Sequence, residues 1–164
     1  MSVDGIIAEI SKVLVNLVEI TGGEPLLQAE VSALCAELLN RGYRVMIETN
    51  GTQDISVISP KVRRVVDIKC PGSGCGDTFF ADNLNYITPN DEIKFVLASI
   101  EDAVWAKDFC ESRGLAKKCP VTFSPVQALL PYDVLADWMT KNSLNDIRFG
   151  VQLHKIIWGS RRGV

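Results

Sequence analysis

The stretch TGGEPLLQ, residues 21–28, follows an apolar run and leads into a leucine-rich one. Two consecutive glycines permit positive φ and let a ligand approach the main chain closely. Pro25 favours the first turn of a helix, and the unpaired N–H groups of such a turn usually attract phosphate. Glu24 places a negative charge at the same position, so the stretch favours an ammonium group over a phosphate.

A structural interpretation of the same residues stays open at this point. Glu24 can simply complement a helix dipole, which contributes about 0.3 to 1 kcal/mol, while the glycines turn the chain. The residues alone do not separate this interpretation from ammonium binding.

Composition predicts one soluble domain over residues 1–164, because 47% of the residues are hydrophobic and 23% are charged. The net charge is -3 and there is no basic stripe, which argues against a nucleic-acid partner. The longest apolar run is too short to cross a bilayer, and the first residues lack the pattern of a signal peptide. We therefore predict a cytoplasmic protein with a small ligand and no membrane partner.

The cysteines form an odd set, which does not suit a disulfide framework, and they are Cys35, Cys70, Cys75, Cys110 and Cys119. None of them are separated by the two residues that let thiolates close on one metal ion. Cys70 and Cys75 could supply two ligands of an iron–sulfur site only with two further thiolates nearby. We therefore assign no metal ligand.

Apolar periodicity alternates between the helical period and the short runs of buried strands. It predicts helices at residues 2–14, 101–113 and 132–141, a helix that begins at Pro25 and is capped at Gly42, and a short helical or irregular stretch at 54–60. It predicts strands at residues 15–21, 43–49, 62–69, 92–97, 121–126 and 147–158, with a long loop at 71–89. This order indicates an α/β fold with a mainly parallel sheet.

A ligand of such a sheet binds beyond the carboxyl ends of its strands. Polar residues stand at the predicted strand ends, while the strand bodies are apolar, and they are Thr21, Glu48 to Asn50, Lys69, Ser124, Gln152 and His154. We expect one mouth to gather these residues. Each of these stretches also has a structural interpretation. Residues 48–50 can form a plain strand-to-loop turn, and Ser124 can be an ordinary turn serine. Lys69 can pair with Asp67, and a lone histidine on a strand is usually structural.

TGGEPLLQ resembles the amino-group motif of the radical S-adenosylmethionine enzymes, in which the glycines and the acid hold the methionyl ammonium. Further stretches resemble one family, the 7-carboxy-7-deazaguanine synthases of the queuosine pathway, and they are ETNGT at 48–52, DIKCPGSG at 67–74, EIKFVL at 92–97, FSPV at 123–126, VQLHKIIW at 151–158 and the closing RRGV. The resemblance implies an incomplete partial (β/α) barrel with mainly parallel strands.

The family converts 6-carboxytetrahydropterin into 7-carboxy-7-deazaguanine by a radical ring contraction with loss of ammonia. Its cofactors are S-adenosylmethionine, a four-iron four-sulfur cluster and magnesium. The resemblance also implies a lyase that acts in tRNA modification, takes a small pterin substrate and forms a homodimer.

The resemblance assigns cosubstrate contacts to Thr21, Gly22, Gly23, Glu24, Glu48, Asn50, Lys69, Ser73 and Ser124. It assigns the pterin to Thr21, Gln152, His154 and the terminal carboxylate of Val164. No residue receives a catalytic role, because the radical needs no proton abstractor for its first step.

The sequence departs from the family at the cluster. The family's three cluster cysteines include two that are separated by two residues, and this sequence has no such trio. MSVDGIIAEI resembles the helix that follows the cluster loop, so we expect a chain without the cluster-binding segment and the magnesium-binding threonine. Such a chain is expected to be inactive alone. The alternative is a cluster-free α/β protein that binds S-adenosylmethionine or a purine-like ligand without catalysis.

Overall fold

The computed structural model describes residues 2–76, 78–159 and 161. Its α-helices are α1 Val3–Ile10, α2 Val31–Asn40, α3 Ile100–Arg113, α4 Tyr132–Lys141 and α5 Leu153–Trp158. Its strands are β1 Leu17–Ile20, β2 Arg44–Thr49, β3 Arg63–Ile68, β4 Glu92–Leu97, β5 Val121–Pro125 and β6 Ile147–Phe149. Short 3₁₀ helices lie at Pro25–Leu27, Ile55–Val57, Pro71–Ser73, Ala81–Asn85 and Leu115–Lys117.

The six strands form one parallel sheet in the order β1-β2-β3-β4-β5-β6. Each crossover therefore leads to the adjacent strand, and crossovers of one handedness collect the helices on one face of the sheet. Within the described residues, β1 and β6 each pair on one side only, so the sheet is open. The predicted α/β class and partial barrel are confirmed.

The hydrophobic core lies between the sheet and the helices in two adjoining clusters. One cluster packs Ile68 and Phe95 of the central strands with Ala106 of α3 and Leu135 of α4. The other surrounds Leu38 of α2 and extends to β1, β2 and α1. Only the strand residues of one alternation phase enter these clusters, so the opposite face of the sheet has no helical cover within the described chain.

Local sequence signals place most helix ends. Ser2 caps α1 by accepting a hydrogen bond from the Gly5 N–H. After α2, Gly42 adopts a φ of 84°, and the Tyr43 N–H donates to the Leu38 carbonyl at 3.1 Å, which closes a Schellman motif. The predicted cap at Gly42 is confirmed.

Two predicted elements are wrong. The last strand ends at Phe149 and not at residue 158, because the chain turns at Gly150 and continues into α5. Leu153, Ile156 and Ile157 have the i, i+3, i+4 spacing of a helix, which a strand prediction overlooks. The helix expected from Pro25 is also divided, since a 3₁₀ turn ends at Leu27 and α2 begins at Val31.

No helix of the described chain has the length and apolar character needed to cross a membrane.

Candidate functional site

The bare face of the sheet carries charged side chains, although the strand bodies were predicted to be apolar. Residues of this phase alternate with the buried ones along β2, β3 and β4 and are half-buried or exposed. They bear both signs of charge and comprise Arg44, Glu48, Arg63, Asp67, Glu92 and Lys94. A water-accessible face can hold these charges because the helices cover the other side only.

The charges on this face form separate ion pairs, two of which cross between strands. Lys94 Nζ donates to Glu48 Oε1 at 3.0 Å, although β4 and β2 are separated by β3. The Glu92 carboxylate accepts hydrogen bonds from Arg63 Nη2 at 2.6 Å and from the Thr122 hydroxyl at 2.7 Å. These contacts orient the Glu48 and Glu92 carboxylates.

Lys94 stands at the centre of three carboxylates. Its burial alone lowers the pKa of the ammonium, but the hydrogen bond to Glu48 and the charges of Glu48, Asp67 and Glu92 outweigh that effect and raise the pKa above its usual range. Lys94 therefore remains a cation at neutral pH and keeps Glu48 oriented across the sheet.

The TGGE turn lies directly after β1 at the carboxyl edge of the sheet. Gly22 and Gly23 adopt φ values of 104° and 55°, and an added Cβ at either position would meet no atom within 4 Å. Positive φ explains the two glycines, and the open space beside them leaves room for a ligand against the main chain.

Glu24 has a defined structural task. Its carboxylate is 9% exposed and accepts hydrogen bonds from the Leu26 N–H at 3.0 Å, the Thr49 hydroxyl at 2.8 Å and the Asn50 N–H at 2.7 Å. It thereby caps the 3₁₀ turn and ties the end of β1 to the end of β2. A carboxylate accepts about four hydrogen bonds, so one position on Oε2 remains for a further donor such as an ammonium.

Two more buried polar side chains join neighbouring loops at the same edge. The Asn83 amide donates to the carbonyls of Gly51 and Gln53 at 3.0 and 2.8 Å. Asp102 of α3 accepts the Gly72 N–H at 3.0 Å and the Ala98 N–H at 3.1 Å. With Glu24, these residues hold the loops after β1, β2, β3 and β4 in one arrangement.

The candidates near β3 are engaged within their own loop. Lys69 Nζ lies 2.5 Å from Asp67 Oδ2, so the structural pairing considered from the sequence is present. Exposed Ser73 donates its hydroxyl to the Cys70 carbonyl at 2.6 Å and accepts from the Cys75 N–H at 3.2 Å. Asn50, which directly follows β2, likewise accepts the Thr52 N–H of its own turn at 2.9 Å.

The candidates near the chain end lie on the β5–β6 side of the sheet, away from β1. Ser124 is 2% exposed at the end of β5. Gln152 precedes α5 and does not lie on a strand, so the predicted shared strand face of Gln152 and His154 is wrong. The side chain of His154 and the whole of Val164 lie outside the described residues.

Only some of the residues that were expected around one ligand-binding mouth are in direct contact. The structure joins Glu24 to Asn50 and Glu48 to Lys94. Thr21 and Gln152 follow β1 and β6, which are five strand spacings apart, or about 24 Å along the sheet.

The cysteines do not fit an iron–sulfur cluster. Burial raises the pKa of Cys35 and Cys119 to about 11 and of Cys70 and Cys110 to about 12, which disfavours the thiolate that a cluster requires. Cys75 is exposed whereas Cys70 is buried. In residues 2–76, 78–159 and 161, no three His, Cys, Asp or Glu side chains are placed to hold a metal ion.

Sequence reasoning missed Lys94, Asn83 and Asp102 as parts of this site. The signal for Lys94 was present, because EIKFVL alternates charged and apolar residues as a strand with one wet face does. Asn83 and Asp102 act on residues 30 or more positions away in sequence, as Asn83 does on Gln53 and Asp102 on Gly72, and no local pattern indicates that.

Comparison with known proteins identifies relatives along nearly the whole chain. The chain is 41% identical over 173 residues to the 7-carboxy-7-deazaguanine synthase of Koribacter versatilis, covering 96% of this chain and 76% of the relative. It is 36% identical to the 7-carboxy-7-deazaguanine synthase of Chlorobaculum tepidum, covering 100% of this chain and 76% of that protein. No family model matches the chain.

Solved structures share the fold. The crystal structure of QueE from Escherichia coli superposes with a TM-score of 0.72 at 21% identity and covers 93% of this chain and 64% of that one. Streptococcus suis SuiB bound to S-adenosylmethionine superposes with a TM-score of 0.59 at 18% identity, covering 90% of this chain and 40% of that one.

Proposed function

The chain belongs to the 7-carboxy-7-deazaguanine synthase family, and from that premise we propose that it provides the cosubstrate-binding and substrate-binding part of such an enzyme. The reaction is the conversion of 6-carboxytetrahydropterin to 7-carboxy-7-deazaguanine with loss of ammonia. The radical chemistry is supplied by cofactors, and the protein binds and orients the reactants.

The TGGE turn holds the methionyl ammonium of S-adenosylmethionine in this proposal. Three donors already orient the Glu24 carboxylate, and its remaining lone-pair position accepts the ammonium. Main-chain carbonyls of Gly22 and Gly23 complete the site from the open space beside them. This placement of a constrained carboxylate beside two accessible glycines is the observation that carries the proposal.

The remaining assignments extend the same site. Glu48 and Asn50 contact the ribose, Lys69 and Ser73 the cosubstrate or pterin, and Ser124 the adenosine part. Thr21, Gln152, His154 and Val164 contact the pterin. The family relationship supports these roles, together with a homodimer that acts in tRNA modification in the cytoplasm.

The four-iron four-sulfur cluster and magnesium belong to the complete enzyme. The buried cysteines of this chain do not suit the cluster, so its ligands come from residues outside this single core domain. We accordingly propose that the chain as a separate polypeptide neither assembles the cluster nor turns over. The cluster-free binding protein considered from the sequence gains no support from the relatives.

An anaerobic reconstitution tests this function. The chain is incubated with iron, sulfide and reductant, alone and fused to the part of the Koribacter versatilis relative that it does not match, and product is measured by chromatography. We expect cluster absorbance and 7-carboxy-7-deazaguanine from the fusion and neither from the chain alone. The fusion with Glu24→Ala should lose product formation.

The two possible failures have different meanings. A stable cluster in the chain alone would contradict the conclusion drawn from the cysteines. A cluster-loaded fusion that leaves the pterin unchanged would overturn the proposed function. Glu30→Ala, an exposed acid beyond the 3₁₀ turn, serves as the matched control and should keep full activity.

A further inference from the structure

A buried carboxylate just beyond the carboxyl end of β4 has no cationic partner among the described residues. Asp102 lies in the first turn of α3, is 4% exposed, and has no Lys or Arg nitrogen within 4.0 Å among the described residues. Burial of an unpaired charge is unfavourable unless hydrogen bonds compensate for it. The contacts that compensate for it therefore indicate what Asp102 does.

Asp102 is satisfied by the main chain of two different loops. Oδ1 accepts the Gly72 N–H of the loop after β3, and Oδ2 accepts the Ala98 N–H of the loop after β4. The N-terminus of α3, where Ser99 is the cap, adds a favourable dipole. Capping α3 would not require a contact with a second loop. The hydrogen bond between Asp102 and Gly72 therefore holds the loop after β3 in place.

Residue 72 is adapted to this contact. A Cβ at Gly72 would lie 2.7 Å from Asp102 Oδ1 and 2.9 Å from Oδ2, so any side chain there would push the loop away from the carboxylate. The φ of Gly72 is outside the positive range that demands glycine, and hence close approach is the reason for the glycine. Asp102 and Gly72 form one latch.

The latch controls a segment that contains site residues. Ser73 is held within the loop by its hydrogen bonds to Cys70 and Cys75, which tie residues 70–75 to one another. Lys69 immediately precedes it at the end of β3. The position of this segment relative to β4 is therefore set by the contacts of Asp102.

We propose that Asp102 is a positioning residue of the cosubstrate site, which latches residues 70–75 to the end of β4 through Gly72 without touching a ligand. The inference rests on the proposed function, because it assumes that this loop faces S-adenosylmethionine. It adds a residue that the family resemblance did not assign.

The test uses the full chain and two independent variants, Asp102→Asn and Gly72→Ala. Asn keeps the shape of the side chain but turns an NH₂ group toward one of the two amide donors. Amide hydrogen exchange reports the order of residues 70–76, and calorimetry reports the affinity for S-adenosylmethionine. Both variants should speed exchange in this segment and weaken binding about tenfold, as expected for loss of a charge-assisted hydrogen bond.

A control separates positioning from general destabilisation. Asp91→Asn removes a buried acid at the other end of β4 and should lower the unfolding temperature at least as much, while exchange at residues 70–76 and affinity stay within about twofold of the parent. Faster exchange with unchanged affinity in both Asp102→Asn and Gly72→Ala would overturn the latch. A parent chain that takes up no S-adenosylmethionine would instead overturn the proposed function and, with it, this inference.

Discussion

The two ends of β4 carry buried aspartates in different surroundings. At the amino end, Asp91 is fully buried and pairs with Arg64, whose guanidinium donates to it at 2.6 and 3.0 Å. Thr88 adds its N–H and its hydroxyl to the same carboxylate. At the carboxyl end, Asp102 is held by main-chain N–H groups from two loops and by no cation of the described chain.

The difference shows how one sheet separates stability from binding. At the amino end, Arg64 is itself only 2% exposed and is enclosed together with its carboxylate partner on the helix-covered side of the sheet. On the bare face, Lys69 follows the carboxyl end of β3 and Lys94 lies within β4, and both side chains are partly exposed. Similar residue types therefore stabilise the fold at one end and form the candidate site at the other.

The largest effect is expected at the closed end. Asp91→Ala should lower the free energy of unfolding by about 3 to 5 kcal/mol, because it leaves the Arg64 guanidinium buried without its partner. Urea unfolding measures this change. Glu9→Ala, which breaks an exposed pair with Lys12, should cost less than about 1 kcal/mol.

Equal losses of unfolding free energy in Asp91→Ala and Glu9→Ala would contradict this account, because the buried Asp91 pair would then behave as a surface pair. Loss of S-adenosylmethionine affinity in folded Asp91→Ala would also contradict it, since that end is assigned to stability alone.

The stability that Asp91 provides should depend on pH. Burial by itself raises the pKa of Asp91, but the hydrogen bonds from Arg64 and Thr88 outweigh it and leave the pKa below its usual range. A lowered folded-state pKa gives stability that is present above about pH 4 and is lost as pH falls through the folded value. Asp91→Asn should be less stable at neutral pH and lose less on acidification.

Urea midpoints measured from neutral pH downward provide the check. Asp54 and Glu101, whose pKa values are also lowered by local hydrogen bonds, remain in both proteins and cancel in the comparison. Parallel acid profiles of parent and Asp91→Asn would show that this carboxylate is not the source of the dependence.

A smaller effect on stability is expected at the open face. Lys94→Met removes the 3.0 Å contact with Glu48, and since both side chains are more than a quarter exposed, stability should change by less than about 1 kcal/mol. Affinity for S-adenosylmethionine should fall because Glu48 loses its orientation. Lys107→Met, which removes an ion pair on α3, is the control and should leave affinity unchanged.

Calorimetry and urea unfolding on the same samples distinguish the outcomes. A large loss of stability with unchanged affinity in Lys94→Met would show that the Lys94–Glu48 pair stabilises the fold and does not serve binding. The contrast between the two ends of β4 would then be lost.

The sequence predicted the parts of the fold that depend on local signals. The strand at 92–97 and the helix at 132–141 match the structure, because periodicity, turns and caps are all local there. The segment after Gly150 was mistaken for strand, since a short apolar run is ambiguous between the two periods.

The site was predicted in its motifs and not in its connections. TGGE and ETNGT were recognised separately, and the structure shows Glu24 joining them across 26 residues of sequence. Glu48 and Asp67 were noted from the sequence, and the alternation in EIKFVL carried the signal for Lys94, but the contact between Glu48 and Lys94 across β3 follows only from the strand order. Such nonlocal facts follow from topology and not from residue patterns.

The most direct test is a map of amide hydrogen exchange in the full chain with and without saturating S-adenosylmethionine. We predict protection at residues 21–24, 49–51 and 70–75, and no change around Thr88 and Asp91 at the amino end. Protection confined to the amino end, or absent from residues 21–24 despite measured binding, would contradict a cosubstrate site at the carboxyl end of the sheet.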